Sequence, residues 1–190
     1  EHLTGFQPIT ASRTICKESK SGYTRMASDH DIWRIIQDFT SAAVRCVESG
    51  FDGIELHGAH GYLISQFLSK TINKRTDKWG GDINGRSQFL IEIVNSIKNN
   101  VPENFIVGIR LSPEIEELNI SLEDSIKLIR KVKTMGLDFI HLSCWDIYAP
   151  SLQYPKDPKR IAEWITHSID NLPPIISTGK IWSAEDAQNA

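Results

Sequence analysis

Two histidines and a tyrosine that lie close together in the chain are the residues best suited to chemistry. His57, His60 and Tyr62 follow the apolar run 51–56, which reads as a short strand, and glycines between them let the backbone turn sharply. Imidazole and phenol groups donate hydrogen bonds to an oxygen that gains negative charge. In α/β folds, ligands bind at the carboxyl ends of strands. The sequence therefore predicts a catalytic site for carbonyl chemistry at this strand end.

The alternation of helices and strands predicts how these residues are positioned. Strands are predicted at 51–57, 105–111, 139–143 and 174–179. Helices are predicted at about 29–49, 85–99, 121–135 and 158–168. The first 28 residues show no period and read as loop. This order implies a parallel sheet, and strand–helix units of roughly 40 residues favour a (β/α)8 barrel over a doubly wound sheet.

The number of strands predicts that the chain is a fragment. A closed barrel of this type needs eight strands, and four are visible here. The chain also starts in a loop and ends in a helix that begins near Ser183. We therefore expect residues 1–190 to be part of a single barrel domain covering about strands 4 to 7, with the N-terminal strands and the last strand missing.

Side-chain alternation predicts which strand residues face the barrel interior. Glu55 and His57 share one face of the first predicted strand, whereas the apolar residues that alternate with them suit packing on helices. The same alternation directs Arg110 and Ser143 inward on the next two strands. Arg110 is then suited either to a bound group or to a buried ion pair with Glu55. His60 has the opposite parity to His57, so it reaches the same place only if the chain leaves strand geometry after His57.

Composition narrows the class of protein. The net charge of −3 gives no reason to expect nucleic acid or an anionic membrane as a partner, and no apolar run approaches the roughly 20 residues of a membrane span. Three cysteines without metal-type spacing indicate reduced thiols and hence a cytoplasmic protein. We expect a small-molecule substrate, and the sequence leaves homo-oligomer formation open.

One long block of sequence resembles a known family. The matching residues run from Gly50 to Tyr62 (GFDGIELHGAHGY), and continue with QFLS at 66–69, NKRTDKWGG at 73–81 and GIRLSP at 108–113. This pattern is similar to that of the old yellow enzyme family of FMN-dependent NAD(P)H oxidoreductases. The resemblance implies a (β/α)8 barrel enzyme that passes hydride from NADH or NADPH, through FMN, to an electron-poor alkene such as an α,β-unsaturated carbonyl compound.

The resemblance also implies residue roles on the substrate side. His57 and His60 would hold the carbonyl oxygen of the substrate, or an inhibitory phenolate, above the flavin. The stretch His57, Gly58, Ala59 and His60 is therefore the predicted substrate-binding segment. Tyr62 occupies the position that protonates the substrate carbon in many members of the family.

On the cofactor side the resemblance implies two contacts. Arg110 would lie beside the pyrimidine edge of FMN, where a fixed guanidinium stabilises the negative charge of the reduced ring. Gly179 would lie near the FMN phosphate. No metal ligand is predicted.

Two other interpretations remain open. His57, His60 and Glu55 are residue types that bind metal ions, so a metal-dependent barrel hydrolase is an alternative. Against it, no further His or Asp cluster recurs on the later strands. The second alternative is a non-catalytic fragment that serves only as an interaction module.

Overall fold

The computed structural model of the protein describes residues 6–189. Its strands are β1 (Ile9–Thr10), β2 (Arg25–Met26), β3 (Gly53–Gly58), β4 (Ile106–Leu111), β5 (Phe139–Ser143) and β6 (Ile175–Thr178). Its α-helices are α1 (Asp29–Glu48), α2 (Leu63–Leu68), α3 (Ile83–Lys98), α4 (Leu122–Val132), α5 (Ile161–Ser168) and α6 (Ala184–Asn189). A short 3₁₀ turn, Lys133–Met135, extends α4.

Four of the strands form one parallel sheet in the order β3-β4-β5-β6, which is also their order in the chain. The register pairs His57 with Arg110, and Arg110 with His141. Because all four strands run the same way, their carboxyl ends meet at one edge. The predicted parallel sheet is therefore confirmed, and its register brings the predicted inward-facing residues into neighbouring positions.

Helix α1 shows how local sequence fixes an element that supports this sheet. The Asp31 backbone N–H donates to the Ser28 hydroxyl at 3.1 Å, and the Asp31 carboxylate accepts from the Ser28 backbone N–H at 2.8 Å. This reciprocal capping box satisfies donors that would otherwise have no partner at the helix start. Ile32 and Ile36 then lie one turn apart and are fully buried in the core. The cap therefore determines where α1 begins, and the apolar face of α1 packs against the core.

The two faces of the sheet have different surroundings. Leu56, Ile109 and Ile140 point to the helical side and belong to the buried hydrophobic core. The opposite face includes Ile106 and Ile176, which are 43% and 44% exposed. The predicted alternation is thus confirmed, since the apolar set packs under the helices and the other set lies on the open, inner face.

The structure also adds elements that the pattern did not predict. The first 28 residues, read as loop, contain the short parallel pair β1 and β2. The six-residue helix α2 was not predicted, because so short a segment carries less than two helical turns of periodicity. Among residues 6–189, no helix is long and apolar enough to cross a membrane.

Candidate functional site

A sharp turn after β3 brings both histidines to one place. The strand ends at Gly58, and His60 adopts a left-handed backbone conformation with φ of 58°. The rings of His57 and His60 consequently lie with centroids 5.1 Å apart in an edge-on arrangement. A left-handed residue other than glycine is uncommon and often marks a functional turn. By strand alternation alone, His60 would point away from His57, and this turn brings both side chains to the same side.

Backbone packing below the histidines leaves little room for other residues. A Cβ atom on Gly58 would lie 2.9 Å from the Arg110 carbonyl oxygen, so only glycine fits. Ala59 has no exposed surface. Ser65 Oγ donates to the Gly58 carbonyl at 2.9 Å and holds the turn from beneath. Gly58 and Ala59 are therefore tightly packed within the turn that carries the two histidines, and their predicted contact with substrate stays a prediction.

Tyr62 lies beside His57 at the rim of the site. Its ring centroid is 5.2 Å from that of His57, and the residue is 62% exposed. It stands at the N-cap of α2, and Gln66 Nε2 donates to the Gly61 carbonyl at 2.9 Å just before it. The phenol is thus attached to a hydrogen-bonded turn and accessible to a bound molecule.

Ser143 connects the histidine turn to Arg110. Its Oγ lies 2.7 Å from His60 Nε2 and accepts a hydrogen bond from Arg110 Nη2 at 3.0 Å. Ser143 is 8% exposed, at the carboxyl end of β5. Strand parity predicted its inward direction, but no sequence pattern signals this bridge, which depends on the left-handed turn at His60.

Arg110 retains unused donor capacity. Its Nε is buried and has no hydrogen-bond partner within the described residues. A buried donor without a partner is costly, and a guanidinium cannot lose its proton to avoid that cost. The residue therefore fits a bound group that presents a hydrogen-bond acceptor on the inner face of the sheet.

Glu55 is paired with a histidine rather than with Arg110. Its Oε1 lies 2.7 Å from His141 Nδ1, and His141 Nε2 lies 3.1 Å from Thr178 Oγ1. This row crosses from β3 to β6 on the inner face. The alternative of a Glu55–Arg110 ion pair is thus not found among the described residues, which leaves the Arg110 charge available.

The surroundings of His60 favour its neutral form. Burial lowers the pKa of His60, and the positive charge of Arg110 lowers it further. At neutral pH the imidazole is then an uncharged group with one N–H donor. An oriented neutral donor of this kind suits stabilisation of an oxygen that becomes negative during a reaction.

Burial has the opposite consequence for the neighbouring thiol. It raises the pKa of Cys144 to about 11, and the nearby carboxylates of Glu114 and Asp146 add to the effect. A thiol in that state remains protonated at neutral pH and is a poor nucleophile. Cys144 is therefore expected to be inert beside an electron-poor substrate.

Gly179 follows β6 with φ of 144°, a conformation that favours glycine. A Cβ atom there would lie 2.4 Å from the Cys144 carbonyl oxygen. The close contact joins the carboxyl ends of β5 and β6. It explains why glycine stands at this position, and the predicted phosphate contact of Gly179 stays a prediction.

An open cavity of about 810 Å³ lies beside the histidine turn. It is lined by His60, Gly61, Ser112, Glu114, Ile115, Glu116, Glu117, Leu118, Ser143, Cys144, Trp145 and Leu152. Its volume lies in the range of small-molecule sites. Most of these residues come from the loops after β4 and β5, which contain none of the predicted catalytic, substrate-binding or cofactor-binding residues.

A metal centre finds no support in this geometry. Within residues 6–189 no group of three or more His, Cys, Asp or Glu side chains is arranged to hold a metal ion. Glu55, one of the three ligands that the hydrolase alternative requires, is engaged by His141.

Comparison with known proteins identifies the family of this chain. The model of the NADH:flavin oxidoreductase / NADH oxidase family matches residues 5–190. A probable NADH-dependent flavin oxidoreductase of Bacillus subtilis, YqiG, is 34% identical over 168 residues, which cover 86% of this chain and 45% of the relative. An NADH:acrylate oxidoreductase of Vibrio harveyi is 34% identical over 195 residues, covering 98% of this chain and 19% of the relative. The chain thus spans less than half the length of either.

A solved structure identifies the fold. The old yellow enzyme homologue of Zymomonas mobilis matches with a TM-score of 0.79 at 22% identity, over 98% of this chain and 54% of that one. The likeness confirms that the four-stranded sheet is part of a (β/α)8 barrel. The matched family consists of enzymes that use FMN and NAD(P)H, so the predicted enzyme class and cofactors are confirmed at the level of the family. With the sequence resemblance, the fold and the family model in agreement, this chain belongs to the NADH:flavin oxidoreductase / NADH oxidase family.

Proposed function

We propose that the complete protein is an FMN-dependent oxidoreductase that passes hydride from NADH or NADPH to an electron-poor alkene, such as an α,β-unsaturated carbonyl compound. The observation that carries this proposal is the connected row of Arg110, Ser143 and His60, with His57 and Tyr62 at its open end. In this row a cationic donor lies on the inner face of the sheet, and imidazole and phenol groups lie at the rim.

Arg110 is the residue of this chain that fits the flavin. Its unpartnered buried Nε suits a ring edge with hydrogen-bond acceptors, and its permanent charge suits a ring that becomes negative on reduction. Gly179, at the end of β6, is proposed to lie near the phosphate. Bound FMN would supply the acceptance and release of hydride, and side chains of this chain would supply the donors that position the substrate.

The histidines and the tyrosine have separate roles in the proposed reaction. His57 and His60 donate hydrogen bonds to the carbonyl oxygen of the substrate, whose charge grows as hydride reaches the alkene. Preorganised donors lower such a barrier, and loss of one typically costs about 10²- to 10³-fold in rate. Tyr62, exposed beside His57, delivers the proton that completes the reduced carbon.

An absorbance spectrum of the complete protein tests the cofactor. We expect flavin bands at roughly 370 and 450 nm, bleached by NAD(P)H without oxygen and restored by an enone. A colourless protein that FMN cannot reconstitute would overturn the proposal.

The Arg110→Met substitution tests the assigned contact. The variant loses a charge and donors that the flavin would use, so FMN affinity should fall by at least about tenfold. Arg45→Met removes an exposed charge from the last turn of α1 and serves as the matched control. Equal FMN affinity in Arg110→Met and in the control would remove Arg110 from the site.

The proposal also covers the domain, the cellular location and the reductant of the protein. We take residues 1–190 to be one part of a single FMN-binding barrel domain, because the family model spans nearly all of the chain. The three cysteines are unpaired, which supports a cytoplasmic location. Either NADH or NADPH is proposed as the reductant.

A further inference from the structure

The loop after β4 is held in a fixed shape. Ile115 and Ile120 exchange backbone hydrogen bonds of 3.1 Å in both directions, and Asn119 N–H donates to the Glu116 carbonyl at 2.9 Å. Asn119 adopts a left-handed conformation with φ of 48°, which asparagine tolerates better than most residues. Glu116 and Glu117 therefore lie in a closed hairpin rather than on a free loop.

Hydrogen bonds from two neighbouring segments hold the same hairpin in place. The Leu118 carbonyl accepts from Ser69 Oγ at 2.7 Å and from Thr71 N–H at 3.4 Å. At its start, the Pro113 carbonyl accepts from Ser125 Oγ at 2.6 Å. These bonds fix the hairpin against the segment that follows α2 and against α4. They hold the two glutamates in the wall of the cavity that also contains His60.

The cavity wall carries negative charge without a balancing cation. Its lining includes Glu114, Glu116 and Glu117, and none of its described lining residues is Lys or Arg. Glu114 is occupied by Ser151 Oγ and by two backbone N–H groups of the loop after β5. Glu116 and Glu117 are exposed, and neither forms an ion pair within residues 6–189. Two carboxylates thus line the cavity with no ion-pair partner in the part of the chain that the structure describes.

The guanidinium of Arg110 does not line the cavity. Arg110 reaches the cavity only through Ser143, whose Oγ it contacts at 3.0 Å. Its buried Nε, which has no hydrogen-bond partner within the described residues, belongs to the inner face of the sheet. His60, disfavoured as a cation by burial and by Arg110, adds no charge at neutral pH.

From this charge pattern, and given the proposed function on which the inference rests, we infer that Glu116 and Glu117 make this site select uncharged alkenes over alkenes that carry a carboxylate. An anionic substrate entering beside His60 would approach both glutamates. A relative of this chain is named as an NADH:acrylate oxidoreductase, so a carboxylate alkene is a relevant competitor.

The size of the effect follows from Coulomb's law. In a water-like medium, one glutamate about 7 Å from a bound carboxylate weakens the affinity for that carboxylate roughly threefold. Two glutamates at this separation weaken it about tenfold. The effect is screened by salt because the carboxylates are exposed. Electrostatic selection of this kind disappears when the charges are neutralised without changing side-chain shape.

The test compares acrylate with methyl acrylate in the complete, FMN-loaded protein. The two compounds share one alkene and differ in charge, so their ratio of kcat/KM isolates the charge effect within each variant. The double substitution Glu116→Gln/Glu117→Gln should raise the acrylate to methyl acrylate ratio about tenfold at low salt. Glu103→Gln, an exposed glutamate before β4 and outside the cavity lining, is the matched control and should leave the ratio unchanged.

A binding measurement provides a readout besides turnover. The oxidised protein is titrated with 4-hydroxybenzoate and with its methyl ester, and flavin absorbance reports occupancy. The double variant should bind the benzoate about tenfold more tightly and the ester equally. Added salt provides a test that needs no substitution. In the unaltered protein, it should raise the turnover of acrylate relative to that of methyl acrylate.

The outcomes separate the two levels of the proposal. Methyl acrylate turnover with an acrylate ratio that neither salt nor the double substitution changes would overturn the charge selection and leave the oxidoreductase intact. A protein that takes up no FMN would overturn the proposed function and this inference with it. A ratio that rises with salt and in the double variant, but not in Glu103→Gln, supports the assignment.

Discussion

Ser143 is a single hydroxyl on which the two halves of the site depend. Arg110 can only donate hydrogen bonds, so it occupies a lone pair of Ser143 Oγ. The O–H group and the second lone pair of Ser143 remain for the contact with His60 Nε2, which lies 2.7 Å from Oγ. The hydroxyl therefore orients the imidazole that is proposed to hold the substrate oxygen and the guanidinium that is proposed to contact the flavin.

Removing this hydroxyl should weaken ligand binding without removing the fold. In Ser143→Ala the imidazole loses an orienting partner, and the affinity for the phenol 4-hydroxybenzaldehyde should fall roughly five- to tenfold, the size of one neutral hydrogen bond. Flavin absorbance titration of the complete protein measures it. Ser177→Ala, one residue out of phase on β6, deletes a hydroxyl from the opposite face of the sheet and should bind normally. Equal losses in both variants would contradict the orienting role.

At the scale of elements, one arginine joins the β1–β2 segment to the loop after α2. Arg75 Nη1 donates to the carbonyl oxygens of Ala11 at 3.0 Å and Ala27 at 2.6 Å. Its Nε and Nη2 bind the carboxylate of Asp77 at 3.0 and 2.6 Å. Strands of two residues, such as β1 and β2, have too few ladder bonds to stand alone. The Arg75 side chain, which is 4% exposed, adds buried hydrogen bonds to the residues that follow β1 and β2.

The Arg75→Met substitution should therefore loosen the β1–β2 segment. It leaves two buried carbonyl groups without a partner, which predicts a loss of about 2–4 kcal/mol in the free energy of unfolding. Urea unfolding gives the total, and hydrogen exchange at Arg25 and Ala27, whose N–H groups pair with this segment, gives the local effect. Arg45→Met, on an exposed helical surface, should change stability by at most about 0.5 kcal/mol. If Arg75→Met is as stable as this control, the hydrogen bonds from Arg75 do not stabilise β1 and β2.

At the scale of the whole molecule, the extent to which sequence predicts structure depends on distance along the chain. The strand predicted at 105–111 is found at Ile106–Leu111, because the alternation of buried and open positions is a local property. The inward direction of His57 and Arg110 follows from the same alternation. The contacts of Ser143 with His60 and of Glu55 with His141 join residues 83 and 86 positions apart. They depend on strand register and on the turn at His60, which no local pattern encodes.

Proton binding at His60 links the site to the stability of the whole fold. Burial and Arg110 lower the pKa of His60 in the folded protein, whereas the unfolded chain has the ordinary value of about 6.5. Between these two values the unfolded state binds more protons than the folded state, so the free energy of unfolding rises with pH. The contribution is complete above about pH 6.5 and is lost as the pH falls toward the lowered value.

The pH dependence can be assigned to this residue by difference. We expect the unaltered protein to lose more stability between pH 7.5 and pH 5.5 than His60→Gln, in which no imidazole titrates at that position. Urea unfolding at both pH values, on the complete protein, measures the two losses. His30→Gln, an exposed histidine on α1, controls for the deletion of one imidazole. If His60→Gln loses as much stability as the unaltered protein over this range, the imidazole is not held neutral by the fold, and the role of neutral donor assigned to His60 would be withdrawn.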